Sequence, residues 1–256
     1  MRTEYDDLDA AVELPDWVTR VVCLVPSLTE ALASVDRTAL VGATEWCTHP
    51  ADLDVARVRG TKNPDLAAIR ALAPDVVVAN KEENRELDVR RLREAGVSVW
   101  VTDIETVPQA IASMERLLDV ALGWPRPDWL GTARALWCGE PDAPRARTAT
   151  PIWRDPWMVV GRDTFTGDLL RRAGLPNVFD DHAERYPHVE VDAIEAAGPD
   201  LVLLPDEPYV FSAEDGPEAF ATPTALVEGR LITWYGPSLV EARAALRGLG
   251  PAADRG

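Results

Sequence analysis

One residue pattern occurs twice in this chain of 256 residues, at a constant offset of 125 from Ala68 to Ala193. In residues 68–75 and again in residues 193–200, a short helical stretch ends at a Pro-Asp pair and aliphatic residues follow. The matched positions are Ala68, Ile69, Ala71, Pro74, Asp75, Val77 and Glu82 with Ala193, Ile194, Ala196, Pro199, Asp200, Val202 and Glu207. An offset close to half the chain length predicts two similar lobes, although helix–Pro-Asp–strand is also a common connection in α/β proteins.

Short valine-rich runs alternate with helical patterns around both copies, which favours the two-lobe interpretation. Strands are predicted at residues 20–25, 40–43, 75–79, 97–101, 201–204 and 231–233. Helices are predicted from the capping boxes Ser27/Glu30 and Ser238/Glu241, from the cap Asn84, and over residues 65–72 and 164–173. This alternation is typical of an α/β fold. We predict two Rossmann-like lobes with parallel sheets and with a ligand cleft between the lobes.

The middle of the chain predicts helical segments between the two lobes. Apolar residues recur at helical spacing over residues 107–122, and a second helix is predicted over residues 128–137. Gly123, Trp124, Pro125 and Pro127 interrupt the pattern, so one helix or two remain open. The predicted domains are an N-terminal α/β lobe over 1–105, a bridging helical segment over 106–139 and a C-terminal α/β lobe over 148–256.

Charge and cysteine content exclude several kinds of site. The chain has 43 acidic and 26 basic residues, a formal net charge of −17. Nucleic acids and anionic membrane surfaces are bound through Lys and Arg, so neither is an expected partner. Cys23, Cys47 and Cys138 form no CxxC pair, which indicates neither a disulfide framework nor a structural zinc site.

The amino terminus is acidic and has no apolar segment of the kind that secretory signals contain. As written, the sequence predicts a cytoplasmic protein, and an extracytoplasmic one if the start is misassigned. The longest apolar runs are four or five residues. A membrane-spanning helix needs about 18, so none is predicted.

Aromatic residues concentrate in the predicted strand-end loops. These are Trp46, Trp153, Trp157, Phe165, Tyr186, Tyr209, Trp234 and Tyr235. Because loop aromatics are not needed to fill a core, they predict a flat apolar ligand. The alternative is that several of them only cover the edges of the lobes.

Three polar motifs have both a structural and a functional interpretation. Ser27 has no GxSxG elbow and no spaced His/Asp partners, so a helix cap is favoured over a nucleophile. Cys47 and His49 supply only two of the three or four ligands that zinc needs, so a small buried Cys47 is favoured. The alternatives are that the pair ligates a metal, or that His49 or Cys47 approaches the metal centre of a bound ligand. Residues 180–188 combine acids, histidines and a tyrosine, which is typical of a solvated turn and, alternatively, of a ligand contact.

Five motifs, taken in order, resemble the helical-backbone substrate-binding proteins of ABC importers, which carry cobalamin, haem and ferric siderophores. They lie at residues 20–32, 40–50, 72–84, 161–170, and 185–190 with 197–204. The resemblance covers nearly the whole chain from Arg20 to Leu249. It implies that the two lobes are bridged by a helix, which here corresponds to the segment 106–139. The loop at residues 80–84 and the Arg185-Tyr186-Pro187 segment are most similar to the cobalamin-binding branch.

The resemblance implies a non-catalytic binding protein without a cofactor, acting as a monomer. Together with the loop aromatics, it indicates a ligand site made of Pro26, Ser27, Trp46, Cys47, His49, Asn80, Lys81, Trp157, Phe165, Arg185, Tyr186, Pro187, Tyr209 and Trp234. The expected ligand is cobalamin or another corrinoid, with haem or a ferric chelate as alternatives. The resemblance also implies docking to an ABC permease through Glu86 in one lobe and Glu214 or Glu218 in the other.

Two other functions stay open at this point. The missing export signal favours a cytoplasmic protein or enzyme that handles corrinoids or metal chelates on the same fold, although no acid/base pair, phosphate loop or nucleophile is recognisable. An interaction module without a small ligand would instead bury the loop aromatics between the lobes. The net charge disfavours highly anionic chelates unless basic residues gather at the cleft, namely Lys62, Lys81, Arg154 or Arg185.

Overall fold

A computed structural model describes residues 1–249, so the predicted C-terminal lobe extends past the described residues at 250–256. The chain forms two compact units. Unit 1 contains Met1–Ile104, Gln109–Thr132 and Tyr235–Pro237, and unit 2 contains Glu105–Pro108, Ala133–Trp234 and the chain from Ser238 onward. The predicted lobe boundaries at residues 105 and 148 stay a prediction. The chain passes from one unit to the other several times, so no single boundary separates them.

The described strands are β1 Arg2–Tyr5, β2 Ala11–Leu14, β3 Val21–Cys23, β4 Leu40–Ala43, β5 Ala56–Arg57, β6 Arg59–Gly60, β7 Asn63–Pro64, β8 Val76–Asn80, β9 Val99–Thr102, β10 Thr148–Ala149, β11 Pro151–Trp153, β12 Met158–Val159, β13 Leu201–Pro205 and β14 Thr224–Val227. The described α-helices are α1 Pro26–Asp36, α2 Leu66–Ala71, α3 Glu86–Glu94, α4 Val107–Arg116, α5 Asp128–Trp137, α6 Phe165–Arg172, α7 Val191–Ala196, α8 Arg230–Thr233 and α9 Ser238–Arg247. Short 3₁₀ turns occupy Arg37–Ala39 and Pro217–Ala219.

A five-stranded parallel sheet in the order β5-β4-β3-β8-β9 forms the centre of unit 1. Every residue of β3, β8 and β9 is buried, as expected for parallel strands that are covered on both faces. On one face, Val22 and Val77 of the sheet pack in one cluster with Ile69 of α2 and Leu92 of α3. This strand order places the carboxyl ends of β4, β3 and β8 side by side.

Unit 2 is built on a parallel sheet in the order β10-β13-β14, with the antiparallel pair β11–β12. β13 is buried along its whole length. A cluster of Ala149, Val159 and Ile194 joins β10, β12 and α7. Two α/β units with parallel sheets confirm the predicted fold class.

The two copies of the repeat fold in the same way. α7 and β13 follow α2 and β8 by the same offset as the sequence repeat. In each copy the aspartate of the Pro-Asp pair accepts a hydrogen bond from a backbone N–H, Asp75 from Arg20 at 2.9 Å and Asp200 from Arg147 at 2.7 Å. Both arginine side chains also donate to carbonyl groups just after the repeat helix. The sequence repeat is therefore a structural repeat.

Helix caps differ from the predictions. Val25 is the cap of α1 and Pro26 its first residue, so the prediction that Ser27 caps this helix is wrong. Proline suits the first helical position because its φ is already helical and the missing N–H would have no partner there. Arg85 precedes α3 in place of the predicted cap Asn84. Ser238 is the first residue of α9, and its hydroxyl donates to a backbone carbonyl, that of Trp234.

The end of unit 2 also differs from the prediction. Residues 231–233 were predicted as a strand but lie in α8, and the strand that pairs with β13 is β14. A three-residue apolar run does not distinguish a strand from a helix, because neither periodicity completes a cycle.

The predicted bridge region contains two helical segments. α4 continues as a π-helical stretch, Leu117–Leu122, and Gly123 ends it with a left-handed φ of 71°. α5 begins after the two prolines. In the described part of the chain, no helix is long and apolar enough to cross a membrane.

An amino-terminal hairpin, β1–β2, was not predicted. Its turn residue Asp6 is wholly buried, and its carboxylate accepts hydrogen bonds from the N–H groups of Ala10 and Val101. Arg93 forms an ion pair with it at 2.7 Å. Asp7 N–H donates to the carbonyl of Val101 at 3.1 Å, so the hairpin is tied to β9.

Replacing Asp6 with Asn should lower the free energy of unfolding by about 2–4 kcal/mol, because a buried acceptor and ion-pair partner are lost together. Urea unfolding followed by tryptophan fluorescence measures the loss. Asp9→Asn is the matched control, since Asp9 is exposed in the same turn and Asn tolerates its φ of 57°. Equal stabilities of the two variants would contradict the role given to Asp6.

Candidate functional site

The predicted ligand residues of unit 1 lie in loops at one edge of its sheet. Pro26 and Ser27 follow β3, Trp46, Cys47 and His49 follow β4, and Asn80 and Lys81 end or follow β8. Because β4, β3 and β8 are parallel neighbours, these loops lie together at the carboxyl ends of the strands. The sheet order therefore brings together segments that are more than 50 residues apart in the chain.

Trp46 is the most exposed of these residues, with 65% of its surface accessible. Pro26 and His49 are half-buried, and the Nδ1 atom of His49 lies 3.1 Å from the Thr48 hydroxyl. Ser27 is buried inside the first turn of α1. An exposed indole at a strand-end loop is a suitable wall for a flat apolar ligand.

Cys47 is buried and takes part in a small hydrogen-bond cluster. Its sulfur accepts from the Thr29 hydroxyl and contacts the Thr44 hydroxyl, each at 3.1 Å. Burial raises the pKa of the Cys47 thiol, and burial also raises the pKa of the Cys23 thiol. This is the small buried residue that the sequence left as the alternative to a ligand contact. Nowhere in residues 1–249 do three or more His, Cys, Asp or Glu side chains form a group that could hold a metal ion.

Thiol labelling should distinguish the three cysteines. At pH 8, Cys138 is expected to react with a disulfide reagent in the folded protein, because it is only half-buried, whereas Cys23 and Cys47 should react only on unfolding. Since folding raises the pKa of both buried thiols, stability should fall as the pH rises above the pKa of unfolded cysteine. Absorbance of the released reagent counts the thiols, with the denatured protein as control. Rapid native labelling of all three would contradict the assignment.

The turn after β8 is shaped by two buried asparagines. The Asn80 side-chain oxygen accepts from the N–H groups of Glu82 and Glu83 at 2.8 and 3.2 Å. Asn84 accepts from the Asn80 N–H at 2.8 Å. Lys81 is exposed and forms an ion pair with Asp103 at 2.7 Å. Asn80 therefore contributes to the backbone conformation of this loop from a buried position, whereas Lys81 has solvent access.

Unit 2 contains a contiguous cluster of aromatic side chains, which we call the aromatic cluster: Trp153, Trp157, Tyr209, Phe211 and Phe220. Trp157 stacks on Phe211 with ring centres 5.9 Å apart, and Tyr209 joins Phe211 at 4.6 Å and Trp153 at 5.7 Å. Phe220 contacts Trp157 edge-on at 5.2 Å. Trp157 and Tyr209 were predicted as ligand residues, whereas Phe211 and Phe220 were missed because their burial depends on how the loops after β13 fold back.

A polar network borders the aromatic cluster. The Arg154 guanidinium lies 5.4 Å from the Trp157 ring centre and donates to Asp215 and, at 2.5 Å, to Glu218. The Tyr209 hydroxyl donates to Asp215 at 2.6 Å. The Arg154 guanidinium lowers the pKa of the Glu218 carboxyl below its usual value. Arg154 thus joins the aromatic rings to two carboxylates.

The Arg185-Tyr186-Pro187 segment is held by backbone hydrogen bonds. Gly161 N–H donates to the Arg185 carbonyl at 2.7 Å, and Val159 N–H donates to the Pro187 carbonyl at 3.1 Å. The Arg185 side chain pairs with Glu105 at 2.6 Å. Arg185 and Tyr186 are half-buried and Pro187 is buried.

The remaining predicted ligand residues of unit 2 are mostly enclosed. Phe165 and Trp234 are both buried. Phe165 begins α6, whose cap Thr164 accepts from Gly167 N–H at 3.1 Å. Next to this cap is an acidic cavity of about 290 Å³, lined by Glu105, Thr106, Asp163, Thr164, Gly167, Asp168, Arg171 and Asp180. Burial raises the pKa of Asp180, the acid that begins the predicted turn at 180–188.

The three carboxylates predicted to dock on a permease have different surroundings. Glu86 is exposed in the first turn of α3, and Glu214 is exposed beside Ser212. Glu218 is engaged by Arg154 and also accepts from Gly216 N–H at 2.6 Å. Glu214 is therefore the better placed of the two candidates in unit 2.

Two α/β units on parallel sheets, linked in sequence by helical segments, define the fold of the two-lobe periplasmic binding proteins. The crystal structure of the periplasmic vitamin B12 binding protein of Vibrio cholerae matches with a TM-score of 0.73, covering 90% of this chain and 96% of that chain at 16% identity. A periplasmic heme binding protein from Pseudomonas aeruginosa matches with a TM-score of 0.71, covering 93% and 94% at 22% identity. At these identities the structures show the fold.

Sequence comparison finds a relative with a higher sequence identity than these two structures. The chain is 27% identical over 203 residues to the vitamin B12-binding protein of Salmonella typhimurium, covering 75% of this chain and 75% of that protein. No protein-family model matches the chain. The resemblance to helical-backbone substrate-binding proteins is confirmed.

The names of the relatives bear on one of the open alternatives. They are named as binding proteins, which supports a substrate-binding protein over an enzyme that handles corrinoids on the same fold. The matched crystal structures are of periplasmic proteins, so the prediction of a cytoplasmic location finds no support.

Proposed function

We propose that this protein is an extracytoplasmic substrate-binding protein of the ABC-importer type and that its ligand is a corrinoid, with cobalamin as the first candidate. The observation that carries the proposal is the similarity to a vitamin B12-binding protein over three quarters of the chain. The exposed Trp46, and the half-exposed Trp153 at the border of the aromatic cluster, agree with a flat ring ligand. The protein binds and releases this ligand without altering it.

The charges of the described residues favour a corrinoid over a polyanionic chelate. Of the basic residues that could attract an anion, Lys81 pairs with Asp103, Arg154 with Asp215 and Glu218, and Arg185 with Glu105. Lys62 donates to the Glu82 carbonyl. A polyanion would have to displace carboxylates from these pairs against a net charge of −17. Haem and ferric chelates are therefore the second candidates.

The partner implied by this function is an ABC permease. Glu86 and Glu214 are the proposed docking carboxylates, because both are exposed and lie in different units. Arginines on the permease would complement them. The binding protein is proposed to act as a monomer.

Titration of the purified protein with cyanocobalamin, haemin and a ferric hydroxamate tests the proposal. Calorimetry should show one saturable site for cyanocobalamin and weaker binding of the other two. The absorbance spectrum of cyanocobalamin recovered after release should be unchanged, as expected without catalysis. Binding of none of the three would refute the proposed ligand class, and tighter binding of haemin would replace cobalamin by haem.

A further inference from the structure

Three residues close to the end of the described chain belong to unit 1, although their neighbours on both sides belong to unit 2. They are Tyr235–Pro237, between Trp234 and Ser238, and we call them the strap. Tyr235 is one of the loop aromatics named above but is not among the predicted ligand residues. The strap contacts two of the strand-end loops of unit 1.

The first contact is with the start of α1. A Cβ atom on Gly236 would lie 3.0 Å from the Ser27 carbonyl oxygen and 3.9 Å from the Ala31 Cβ. Such a short distance to backbone leaves little room for a side chain, so glycine lets the strap pass directly over the first turn of the helix. This turn contains Pro26 and Ser27 of the proposed site.

The second contact is with the turn after β8. Tyr235 is buried, and its hydroxyl donates to the Glu83 carboxylate at 2.9 Å. Burial and the adjacent Glu83 carboxylate raise the pKa of Tyr235 well above its usual value, so the phenol stays protonated and remains a donor. The strap therefore joins two turns that follow the neighbouring strands β3 and β8.

We propose that Tyr235 and Gly236 are positioning residues that hold these two turns in the geometry that binds the ligand, without touching the ligand themselves. The inference rests on the proposed function, because it concerns the same strand-end loops. A hydrogen bond to a charged group in a buried site is strong enough to order a short exposed turn before the ligand arrives.

Tyr235→Phe keeps the buried ring and removes only the hydroxyl. It should weaken cyanocobalamin binding about tenfold, because the turn after β8 must then be ordered on binding. Tyr5→Phe is the control, since Tyr5 is 57% exposed in the amino-terminal hairpin. Gly236→Ala should weaken binding as well, by displacing the start of α1.

A double-mutant cycle separates positioning from direct contact. In a Glu83→Ala background, Tyr235→Phe should cause a much smaller further loss of affinity, because most of its effect passes through Glu83. Glu83→Gln, which keeps an acceptor oxygen, should retain most of the affinity. If Tyr235→Phe causes the same loss of affinity in the wild-type and Glu83→Ala backgrounds, Tyr235 touches the ligand and the proposal is overturned. The proposal is also overturned if Tyr235→Phe causes no loss of affinity in either background.

Amide hydrogen exchange of the ligand-free protein tests the strap independently of ligand identity. Tyr235→Phe should raise the exchange rates of residues 81–84 several-fold and leave the β1–β2 hairpin unchanged. Unchanged exchange in the turn overturns the positioning role. Suppose that the wild type binds none of the three titrated ligands while Tyr235→Phe still raises exchange in the turn. That result would support the strap and would refute only the proposed function.

Discussion

Trp46→Ala is expected to weaken cyanocobalamin binding by about 10- to 100-fold, because a ligand-facing indole contributes roughly 1.5–3 kcal/mol. Trp46 lies in the loop after β4, at the edge where the loops after β3 and β8 also lie, and 65% of its surface is accessible. Because it is so exposed, its removal should leave the free energy of unfolding almost unchanged. Calorimetric titration and urea unfolding of the same variant measure the two quantities.

Trp17→Ala is the matched control for this prediction. Trp17 is also in unit 1 and is 63% exposed, but it precedes β3 and is at the opposite end of that strand from the proposed site. Its removal should leave the affinity at the wild-type value. Equal losses from the two variants would show that Trp46 has no specific role in ligand binding.

Trp157→Ala should lower the free energy of unfolding by about 3–5 kcal/mol, the usual cost of removing a large buried aromatic side chain. Trp157 has only 9% of its surface accessible, stacks on Phe211, contacts Phe220 and lies under Arg154. Its ring connects the β11–β12 turn to the segments after β13. The sequence left open whether such aromatics meet the ligand or cover the edge of a lobe, and this burial favours the second role.

Trp153→Ala provides the contrast in the same cluster. Trp153 is 45% exposed and touches Tyr209 edge-on, so its loss should affect cyanocobalamin binding more than stability. Urea unfolding and titration of both variants give the comparison. A Trp157→Ala protein with wild-type stability and lost binding would reverse the assignment and make Trp157 a ligand wall.

The parts of the fold that could be predicted are those set by local pattern. Buried parallel strands are aliphatic on both faces, so β3, β8 and β13 were recognisable as short valine- and leucine-rich runs. The Pro-Asp pair ends a helix, and its aspartate accepts a backbone hydrogen bond, which explains why Asp75 and Asp200 recur in both copies. The hairpin β1–β2 was missed because Asp6 is recognisable as buried only once β9 is beside it.

The proposed site was predictable only in part. Ligands bind at the carboxyl ends of parallel strands, so the loops holding Trp46 and Lys81 could be chosen from strand positions alone. Charge pairing could not be predicted, because Lys81 and Asp103, like Arg185 and Glu105, are far apart in the chain. The same applies to the hydrogen bond from Thr29 to the Cys47 sulfur, which forms only when α1 packs beside β4.

By itself, the sequence determined the class of fold and the repeat of helix and strand, and it predicted the loops of the proposed ligand site. Each of these depends on residues close together in the chain, through periodicity, turns and strand ends. Only the tertiary structure decided which aromatics are exposed, which basic residues are already paired, and that Tyr235 reaches Glu83. These properties depend on contacts between segments that are distant in the chain. Such contacts contribute free energy only once the chain is folded and packed.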